Sequence, residues 1–337
     1  MKDGLNIAVA GATGLVGRTI IKVLEEHNFP VNSLRLLASE KSAGTEIGFK
    51  GKSYKAEVLR HNSFEGMDIA LFSAGKYAST EFATAAARSG CVVIDNGSYW
   101  RMHPDVPLVV PEVNPHAAQR HHGIIANPNC STIQLVVALK PIHDTFKLKR
   151  VVVSTYQSIS GAGQKGVDKL NRELRGEDTP DKHKIAFNTM FHSISDDSGF
   201  SEEEIKMVNE TRKILEEPEL KTAVTCVRLP ILGGHAESVN IETEMPFEIE
   251  DLRSLFAELN GVVLIDEPQS ELYPTPFMSA NTDPVYVGRF RRDDTVANGA
   301  YLWVVADNLR KGAATNAVQI AELIYYNNWL GFEEKAF

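Results

Sequence analysis

The stretch AVAGATGLVGRT, residues 8–19, constrains the fold of this chain more than any other. Gly11, Gly14 and Gly17 follow an apolar strand pattern, NIAVA, and lead into a helical pattern, LVGRTIIKVLEEH. A glycine-rich turn between a strand and a helix lets a pyrophosphate approach backbone N–H groups at the helix N-terminus. The spacing is G-x-x-G-x-x-G instead of G-x-G-x-x-G, so a tight turn without a ligand is the alternative. The stretch therefore predicts a nucleotide-binding βαβ unit.

Strand and helix patterns alternate through the first part of the chain and change in the second. SLRLLAS, DIALFSA and CVVIDNGS indicate buried strands, and STEFATAAARSG indicates a helix with Ser79 as N-cap and Gly90 as its stop. From about Arg150 onward strand patterns outnumber helical ones, which favours a mostly antiparallel sheet with helices on one face. We therefore expect an α/β chain with a Rossmann-like doubly wound domain and a second, α+β domain.

Composition and charge exclude several classes of function. A chain of 337 residues that is 43% hydrophobic can bury a large core, and two domains are expected at this length. A net charge of −9 without a long run of Lys and Arg argues against a nucleic-acid partner. No apolar stretch approaches the roughly 20 residues of a membrane span, and the start lacks a leader-like apolar segment. We therefore expect a cytoplasmic protein that acts on a small molecule.

The stretch NPNCST, residues 127–132, contains the candidate nucleophile. Three scattered cysteines are too few for a disulfide framework or a clustered zinc site, so we expect a reducing compartment and no metal. Cys130 directly precedes the helical run STIQLVVALKPIH, and a helix N-terminus stabilises a thiolate. Cys91 and Cys226 lie within strand patterns and are predicted to be buried and structural, the commoner fate of a cysteine. Cys130 is the candidate nucleophile.

A nucleophilic thiol needs an acid/base partner, and RLPILGGHAES offers His235 after two glycines, in a turn where the ring can project freely. The remaining histidines are predicted to be solvated. Arg101, Arg228 and Lys206 are cations that an anionic substrate would need, although a surface salt bridge is the alternative for each. Glu203 and Lys206 lie three residues apart on one helix face, where an intrahelical ion pair is the simpler interpretation.

Together these motifs describe a dehydrogenase that works through a thioester, and the chain closely resembles the aspartate-β-semialdehyde dehydrogenase family. The resemblance covers nearly the whole sequence, through GATGLVG, FSAG, DNGSYWRMHPDVPLVVPEVN, NPNCSTIQL, SGAGQKG, RLPILGGHAES and DNLRKGAATNAVQIAE. It implies the reductive dephosphorylation of L-β-aspartyl phosphate to L-aspartate 4-semialdehyde with NADPH, in lysine, methionine, threonine and diaminopimelate biosynthesis. Cys130 would form the thioester and His235 would be the acid/base group.

The resemblance also implies roles for further residues and a division into domains. Gln157 would orient the reacting groups, and the substrate-binding residues would be Arg101, Asn129, Glu203, Lys206 and Arg228. The NADP-binding domain would comprise residues 1–128 with 315–337, and the catalytic and dimerisation domain residues 129–314. The family further implies a homodimer, with a dimer of dimers as an alternative.

The cofactor-binding residues that the resemblance implies fall into three groups. The glycine loop contributes Gly11, Thr13, Gly14, Leu15 and Val16; the FSAG motif contributes Ser73, Ala74 and Gly75; and Ser160, Gly161 and Asn316 would lie near the nicotinamide. The segment ASEKSAG would select the cofactor, since Lys41 with Ser39 and Ser42 suits a 2′-phosphate, whereas Glu40 suits a 2′-hydroxyl. NADP(H) is therefore expected, and the strictness of that preference is left open.

Three alternatives differ from this interpretation at identifiable residues. N-acetyl-glutamyl-phosphate reductase uses the same thiol chemistry, but its nucleophile lies in a Gly-Cys-Tyr-Pro context. Glyceraldehyde-3-phosphate dehydrogenase has a Ser-Cys-Thr-Thr sequence, which is also absent. A nucleotide-binding regulator that has lost its chemistry would not need Cys130, Gln157 and His235.

Overall fold

The computed structural model describes residues 3–194 and 197–333. The chain divides into two compact units, Met1–Asn129 with Ala313–Phe337 and Cys130–Gly312. The first is called unit 1 and the second unit 2 below. Among the described helices, none is long and apolar enough to cross a membrane. Nor does the described part of the chain contain a group of three or more His, Cys, Asp or Glu side chains arranged to hold a metal ion.

Unit 1 is built on a six-stranded sheet in which every neighbouring pair is parallel. The spatial order is β5-β2-β1-β6-β7-β8. Strands buried on both faces explain why these segments are almost continuously apolar. The strands are β1 Leu5–Ala10, β2 Val31–Ala38, β5 Glu57–Val58, β6 Ile69–Phe72, β7 Val92–Asp95 and β8 Ile124–Ala126, with a separate hairpin of β3 Glu46–Phe49 and β4 Lys52–Lys55. The helices are α1 Leu15–Glu26, α2 Gly75–Arg88 and α3 Pro115–Ala118.

The glycine turn between β1 and α1 has the close packing that its composition predicts. Gly11 has φ +81°, a conformation that an L side chain rarely adopts. A Cβ at Gly17 would lie 2.1 Å from Gly11 O, so only glycine permits this approach. Gly14 is the N-cap of α1 and provides no side-chain cap. The first N–H groups of α1 are therefore not capped by a side chain at this position.

The predicted start of α2 is wrong by one turn. α2 begins at Gly75, with Ser73 and Ala74 between it and β6. Ser79 is a buried residue inside this helix, and its Oγ donates to Gly75 O at 3.2 Å. A serine can satisfy its hydroxyl on the preceding turn instead of capping the helix, and the sequence pattern does not distinguish the two. The predicted stop agrees with the structure, since Gly90 has φ +83° just after the helix.

Unit 2 is built on a seven-stranded mixed sheet in the order β10-β11-β9-β12-β15-β14-β13. Four of its neighbouring pairs are antiparallel, whereas β9 with β11 and β13 with β14 are parallel. The strands are β9 Leu148–Ser158, β10 Met190–Phe191, β11 Lys221–Leu229, β12 His235–Thr243, β13 Val262–Leu264, β14 Val285–Asp293 and β15 Gly299–Ala306. The helices are α4 Cys130–Phe146, α5 Gly163–Leu174, α6 Glu202–Leu215, α7 Ile249–Ala257 and α8 Pro276–Ser279.

Helix α4 forms the centre of the unit 2 core. It contacts β9, β12, β14 and β15 as well as α6 and α7. Its residues from Ser131 to Leu139 are all buried, which explains why its sequence is apolar on nearly every side.

The last helix, α9 Thr315–Tyr326, belongs to unit 1. It contacts α1, α3 and β7, and its apolar residues Val318, Ile320 and Ile324 join the core cluster that contains β1 and α1. The predicted fold class is therefore confirmed: one unit is a parallel Rossmann-like α/β domain, and the other is an α+β domain with a mostly antiparallel sheet.

Candidate active site

Most of the predicted catalytic and substrate-binding residues belong to unit 2. They lie on or near the side of its sheet where β9 and β11 end and β12 begins. Gln157 is near the end of β9 and is the register partner of Arg228 near the end of β11. His235 is the first residue of β12, which runs antiparallel to β9, so it begins where β9 ends. Cys130 is the first residue of α4, the helix packed on these strands.

The Gln157 amide is held in one orientation by two acceptors. Its Nε2 donates to Ser131 Oγ at 2.8 Å and to Glu203 Oε1 at 3.3 Å. Its Oε1 is buried and has no hydrogen-bond partner among the residues that the structure describes. Because Ser131 follows Cys130 directly, these bonds connect the end of β9 to the first turn of α4. Gln157 therefore presents an unsatisfied carbonyl acceptor close to the candidate nucleophile.

Arg228 is positioned by the backbone beside it. One guanidinium nitrogen, Nη1, donates to Ser158 O at 2.8 Å. Burial lowers the pKa of Arg228, while Cys130 and Glu203 act in the opposite direction through their charges. A Cβ at Gly161 would lie 2.6 Å from Arg228 Nη1 and 3.4 Å from His235 Nε2, so the absence of a side chain there leaves room beside both groups.

The His235 ring is buried, contrary to the prediction that it projects freely from a turn. The turn contains Gly234, at φ +76°, but the next residue already belongs to β12 and faces the core. Nδ1 accepts from Ser158 N–H at 3.0 Å, so a neutral ring carries its proton on Nε2. Burial, with the charge of Arg228 as a smaller cause, lowers the pKa of His235 to about 3. The ring is therefore a neutral group with a donor at Nε2, which has no partner within the described ranges.

The three cysteines differ in accessibility in the way the sequence indicates. Cys130 is half-buried, whereas Cys91 and Cys226 are buried. Burial raises the pKa of both buried thiols far above the ordinary value, so they stay protonated. A Cβ at Gly312 would lie 2.9 Å from Cys130 Cβ, which makes Gly312 a close neighbour of the candidate nucleophile.

Glu203 and Lys206 lie together in the first turns of α6, as their spacing predicts. The Lys206 Nζ lies 3.9 Å from Glu203 Oε2 and 3.5 Å from Glu202 Oε2. Because Glu203 also accepts from Gln157, this carboxylate lies at the sheet edge with Gln157 and Arg228. An anion and two cations there suit a substrate that carries charges of both signs.

Sequence reasoning missed several residues of this site. His192, predicted to be solvated, is half-buried, and its Nδ1 lies 3.4 Å from Arg228 Nη2. Burial and the charge of Arg228 lower the pKa of His192.

The prediction that the other histidines are solvated is also wrong for His121 and His143, which are buried. No short-range sequence signal distinguishes these histidines, because each is buried by residues distant in the chain.

A buried hydroxyl and amide network underlies the turn that follows β9. Ser160 Oγ lies 2.7 Å from Ser158 Oγ, and Asn308 Nδ2 donates to Ser160 Oγ at 3.0 Å. Asn308 Oδ1 accepts from Ser158 Oγ at 2.9 Å and from Gly234 N–H at 3.2 Å. Through Asn308, the network joins the turn after β9 to the turn before β12, which contains Gly234. Ser160 and Gly161 lie in the turn after β9, within unit 2.

The remaining predicted residues lie in unit 1, where they line the carboxyl ends of its strands. Arg101 Nη2 donates to Asn96 O at 2.7 Å, just after β7. Asn316 Nδ2, at the start of α9, donates to Asn127 Oδ1 at 2.7 Å, just after β8. Asn129 is buried. These polar side chains are therefore held beside the ends of β7 and β8, the edge at which open parallel sheets bind ligands.

The same edge of unit 1 fits a dinucleotide. β1 lies between β2 and β6, so the glycine turn after β1 and the Ser73–Gly75 turn after β6 are at the topological switch point of the sheet. A Cβ at Gly75 would meet no atom within 4 Å, so its backbone is open to a ligand. Thr13, Leu15, Val16 and Ser73 are half-buried, whereas Gly14, Ala74 and Gly75 are exposed. Lys41 and Ser39 are exposed in the segment after β2, and Ser42 is half-buried there.

A doubly wound unit with a glycine turn, and an α+β unit with a half-buried thiol and a buried histidine, are typical of a nucleotide-dependent oxidoreductase. Comparison with known proteins agrees with this class. Residues 6–121 match the family model "Semialdehyde dehydrogenase, NAD binding domain", and residues 139–311 match "Semialdehyde dehydrogenase, dimerisation domain".

Full-length relatives make the assignment more specific. The chain is 53% identical to aspartate-semialdehyde dehydrogenase of Aquifex aeolicus (strain VF5) over 333 residues, 95% of this chain and 98% of that protein. It is 48% identical to the Bacillus subtilis (strain 168) enzyme of that name, over 96% of this chain and 98% of the other. The crystal structure of aspartate semialdehyde dehydrogenase II from Vibrio cholerae, complexed with ASA, matches with a TM-score of 0.92 and 45% identity, covering 96% and 99% of the two chains.

This chain belongs to the aspartate-semialdehyde dehydrogenase family and is an oxidoreductase of amino-acid biosynthesis. The family resemblance seen in the sequence motifs is confirmed. Unit 1 contains an NAD(P)-binding domain, and unit 2 contains a dimerisation domain.

Proposed function

We propose that this chain reduces L-β-aspartyl phosphate to L-aspartate 4-semialdehyde with NADPH, through a thioester on Cys130. One observation carries the proposal: the half-buried thiol begins the helix whose next residue, Ser131, accepts from Gln157, and Gln157 also contacts Glu203. Arg228 and His235 lie at the same edge of the sheet. A nucleophile, an oriented amide, a neutral imidazole and charges of both signs are what acyl transfer from an amino-acid phosphate requires.

The proposed reaction has an acylation step and a reduction step. The Cys130 sulfur attacks the acyl carbon, the bond from that carbon to the phosphate oxygen breaks, and phosphate leaves a thioester behind. His235 Nε2–H donates a hydrogen bond to the carbonyl oxygen as negative charge develops on it. Bound NADPH would supply the hydride that reduces the thioester. The carbon–sulfur bond then breaks, which releases the aldehyde and returns the thiolate.

The charged residues would bind the rest of the substrate. Arg228 would hold the α-carboxylate, and Glu203 would face the α-ammonium group. Arg101, Lys206 and Asn129 would bind the phosphate. Gln157 would orient the reacting carbonyl relative to Cys130, because its amide is fixed by Ser131 and Glu203.

The preferred aldehyde tests this proposal directly. In phosphate-dependent reduction of NADP, we expect aspartate semialdehyde to be preferred strongly over N-acetyl-glutamate semialdehyde, because an N-acetyl group removes the ammonium charge that Glu203 would face. Glu203→Gln keeps the shape of the side chain and removes its charge. It should raise the KM for aspartate semialdehyde by about tenfold or more, since hydrogen bonds between charged groups contribute about 1.5–3 kcal/mol. Equal or better turnover of the N-acetyl compound would refute the substrate assignment.

We propose that NADP is preferred over NAD through Lys41, with Ser39 and Ser42 as hydroxyl donors. Lys41 lies in unit 1 and is exposed after β2, where a 2′-phosphate can reach it. We also propose that Glu40 limits the preference, because an acidic group repels a 2′-phosphate.

Replacing Lys41 tests the cofactor proposal. Lys41→Ala should raise the KM for NADP by about tenfold, the effect of one charge-assisted contact to a phosphate, and leave the KM for NAD nearly unchanged. Lys52→Ala removes another exposed lysine of unit 1, on β4, and is the matched control. If Lys41→Ala changes the KM for NADP and the KM for NAD equally, Lys41 does not bind the 2′-phosphate.

We propose that the domains are residues 1–128 with 315–337 and residues 129–314, and that unit 2 forms a homodimer in the cytoplasm. The unit 2 sheet supports the dimer, because Tyr156 and Trp303 are only half-buried on adjacent parts of the sheet. A sequence with only three scattered cysteines supports a reducing compartment. Sedimentation velocity would distinguish a dimer from a dimer of dimers.

A further inference from the structure

A fully buried carboxyl group lies beneath the candidate active site. Glu237 follows His235 by two residues on β12, so the two side chains are on the same face of the sheet. Its register partners are Thr155 on β9 and Val304 on β15. It has no exposed surface, and neither carboxyl oxygen accepts a hydrogen bond from the described residues. An ionised carboxylate in this place would lack the cation or donors that burial of a charge requires.

Gln134 of α4, one turn after Cys130, lies within hydrogen-bonding reach of this carboxyl group. Its Nε2 is 3.4 Å from His235 O and 3.4 Å from Val304 O. Backbone carbonyls only accept hydrogen bonds, so these two contacts determine which way the amide is turned. The Gln134 Oε1 is consequently directed elsewhere; it is buried and, in the part of the chain that the structure describes, has no donor.

Two acceptors can form a hydrogen bond with each other only if one of them carries a proton. An amide oxygen is not protonated near neutral pH, whereas a buried carboxyl group is readily neutral. Burial raises the pKa of Glu237 well above its ordinary value and outweighs the opposite effect that a Gln134 N–H would have on an ionised carboxylate. The unsatisfied Gln134 oxygen and the unsatisfied Glu237 oxygens therefore have a common explanation.

We propose that Glu237 is a neutral carboxylic acid whose O–H donates to Gln134 Oε1, and that this pair positions His235 relative to Cys130. Gln134 is on the helix that begins with Cys130, and its amide donates to the main chain of His235 itself. Fixing both ends of the Gln134 amide fixes the backbone from which the imidazole projects. Glu237 is therefore a positioning residue, and this consequence for catalysis rests on the proposed function.

Infrared difference spectroscopy tests the protonation state without any substrate. The spectrum of the wild-type protein minus that of Glu237→Gln, recorded at neutral pH, should contain the carbonyl stretch of a protonated carboxylic acid, and this band should shift in D₂O. The subtraction removes bands from other buried acids such as Asp95, whose pKa burial also raises. A carboxylate band in place of the acid band would overturn the proposal. This result does not depend on which aldehyde the enzyme uses.

Kinetics of three variants test the positioning role. Glu237→Leu should lower kcat about tenfold with little change in KM, because Gln134 Oε1 is left buried without a donor. Glu237→Gln supplies an amide N–H in place of the O–H and should restore kcat to within about threefold of wild type. Gln134→Leu, which leaves Glu237 in place, should lower kcat by a factor similar to that of Glu237→Leu.

Val239→Ala is the matched control for lost packing. Val239 is the next residue on the same face of β12 and is fully buried, so the variant should lower the melting temperature without lowering kcat. If Glu237→Leu lowers only the melting temperature, as Val239→Ala does, Glu237 is structural and the positioning role is wrong. Should Glu237→Leu fail to fold, Gln134→Leu and the infrared measurement still decide the proposal.

Discussion

Cys130→Ala should abolish phosphate-dependent oxidation of aspartate semialdehyde and leave NADP binding close to that of the wild-type protein. Removal of the nucleophile of a covalent mechanism typically lowers kcat by about 10⁴-fold or more. The glycine turn, the Ser73–Gly75 turn and Lys41 all lie in unit 1, whereas Cys130 begins unit 2. Fluorescence titration with NADP and a steady-state assay on the same preparation measure the two effects.

Alkylation distinguishes Cys130 from the other two thiols. Iodoacetamide near neutral pH should label Cys130 first, because Cys91 and Cys226 are buried and burial raises the pKa of both. Phosphate or substrate should slow the labelling. Cys91→Ala and Cys226→Ala, as matched controls, should stay active. Early label on Cys91 or Cys226 in a peptide map, or substantial activity in Cys130→Ala, would contradict the thioester mechanism.

The sequence predicts the architecture well where local pattern and burial agree. β1, the glycine turn and α1 follow from an apolar run, three glycines and a helical period, and the structure confirms the fold class that they indicate. Six strands were not predicted, namely β3, β4, β5, β8, β10 and β14. β8 is only three residues long, and β14 contains Arg289, Arg291 and Arg292, whose charges conceal the strand pattern.

Motifs predicted the candidate site residues, but the sequence did not predict how deeply they are buried. His235 was expected in an open turn because two glycines precede it, whereas its ring is buried by strand pairing between residues far apart in sequence. The Glu237 and Gln134 pair is invisible in the sequence for the same reason, since the two residues are 103 positions apart (237 − 134). The catalytic roles themselves stay predictions until the variants are measured.

The buried His235 also predicts how stability depends on pH. In the unfolded chain this histidine binds a proton below about pH 6.5, whereas in the folded protein burial lowers its pKa to about 3. Between these values the unfolded state binds more protons, so the contribution of His235 to stability is complete above about pH 6.5 and is lost as the pH falls toward 3. His235→Gln has no titrating ring. Its melting temperature should therefore fall less than that of wild type between pH 7 and pH 5.

His235→Ala should lower kcat by about 10²–10⁴-fold, the usual effect of losing a positioned acid, base or oxyanion donor. Cys130 should still react with iodoacetamide in this variant, because the thiol and its helix remain. The bond from Ser158 N–H to Nδ1 leaves the ring proton on Nε2, so hydrogen-bond donation is the role that this geometry favours. Gln can donate from its amide but cannot exchange protons. Activity of His235→Gln well above that of His235→Ala would support donation, and equal loss in both variants would instead show that proton transfer through the ring is essential.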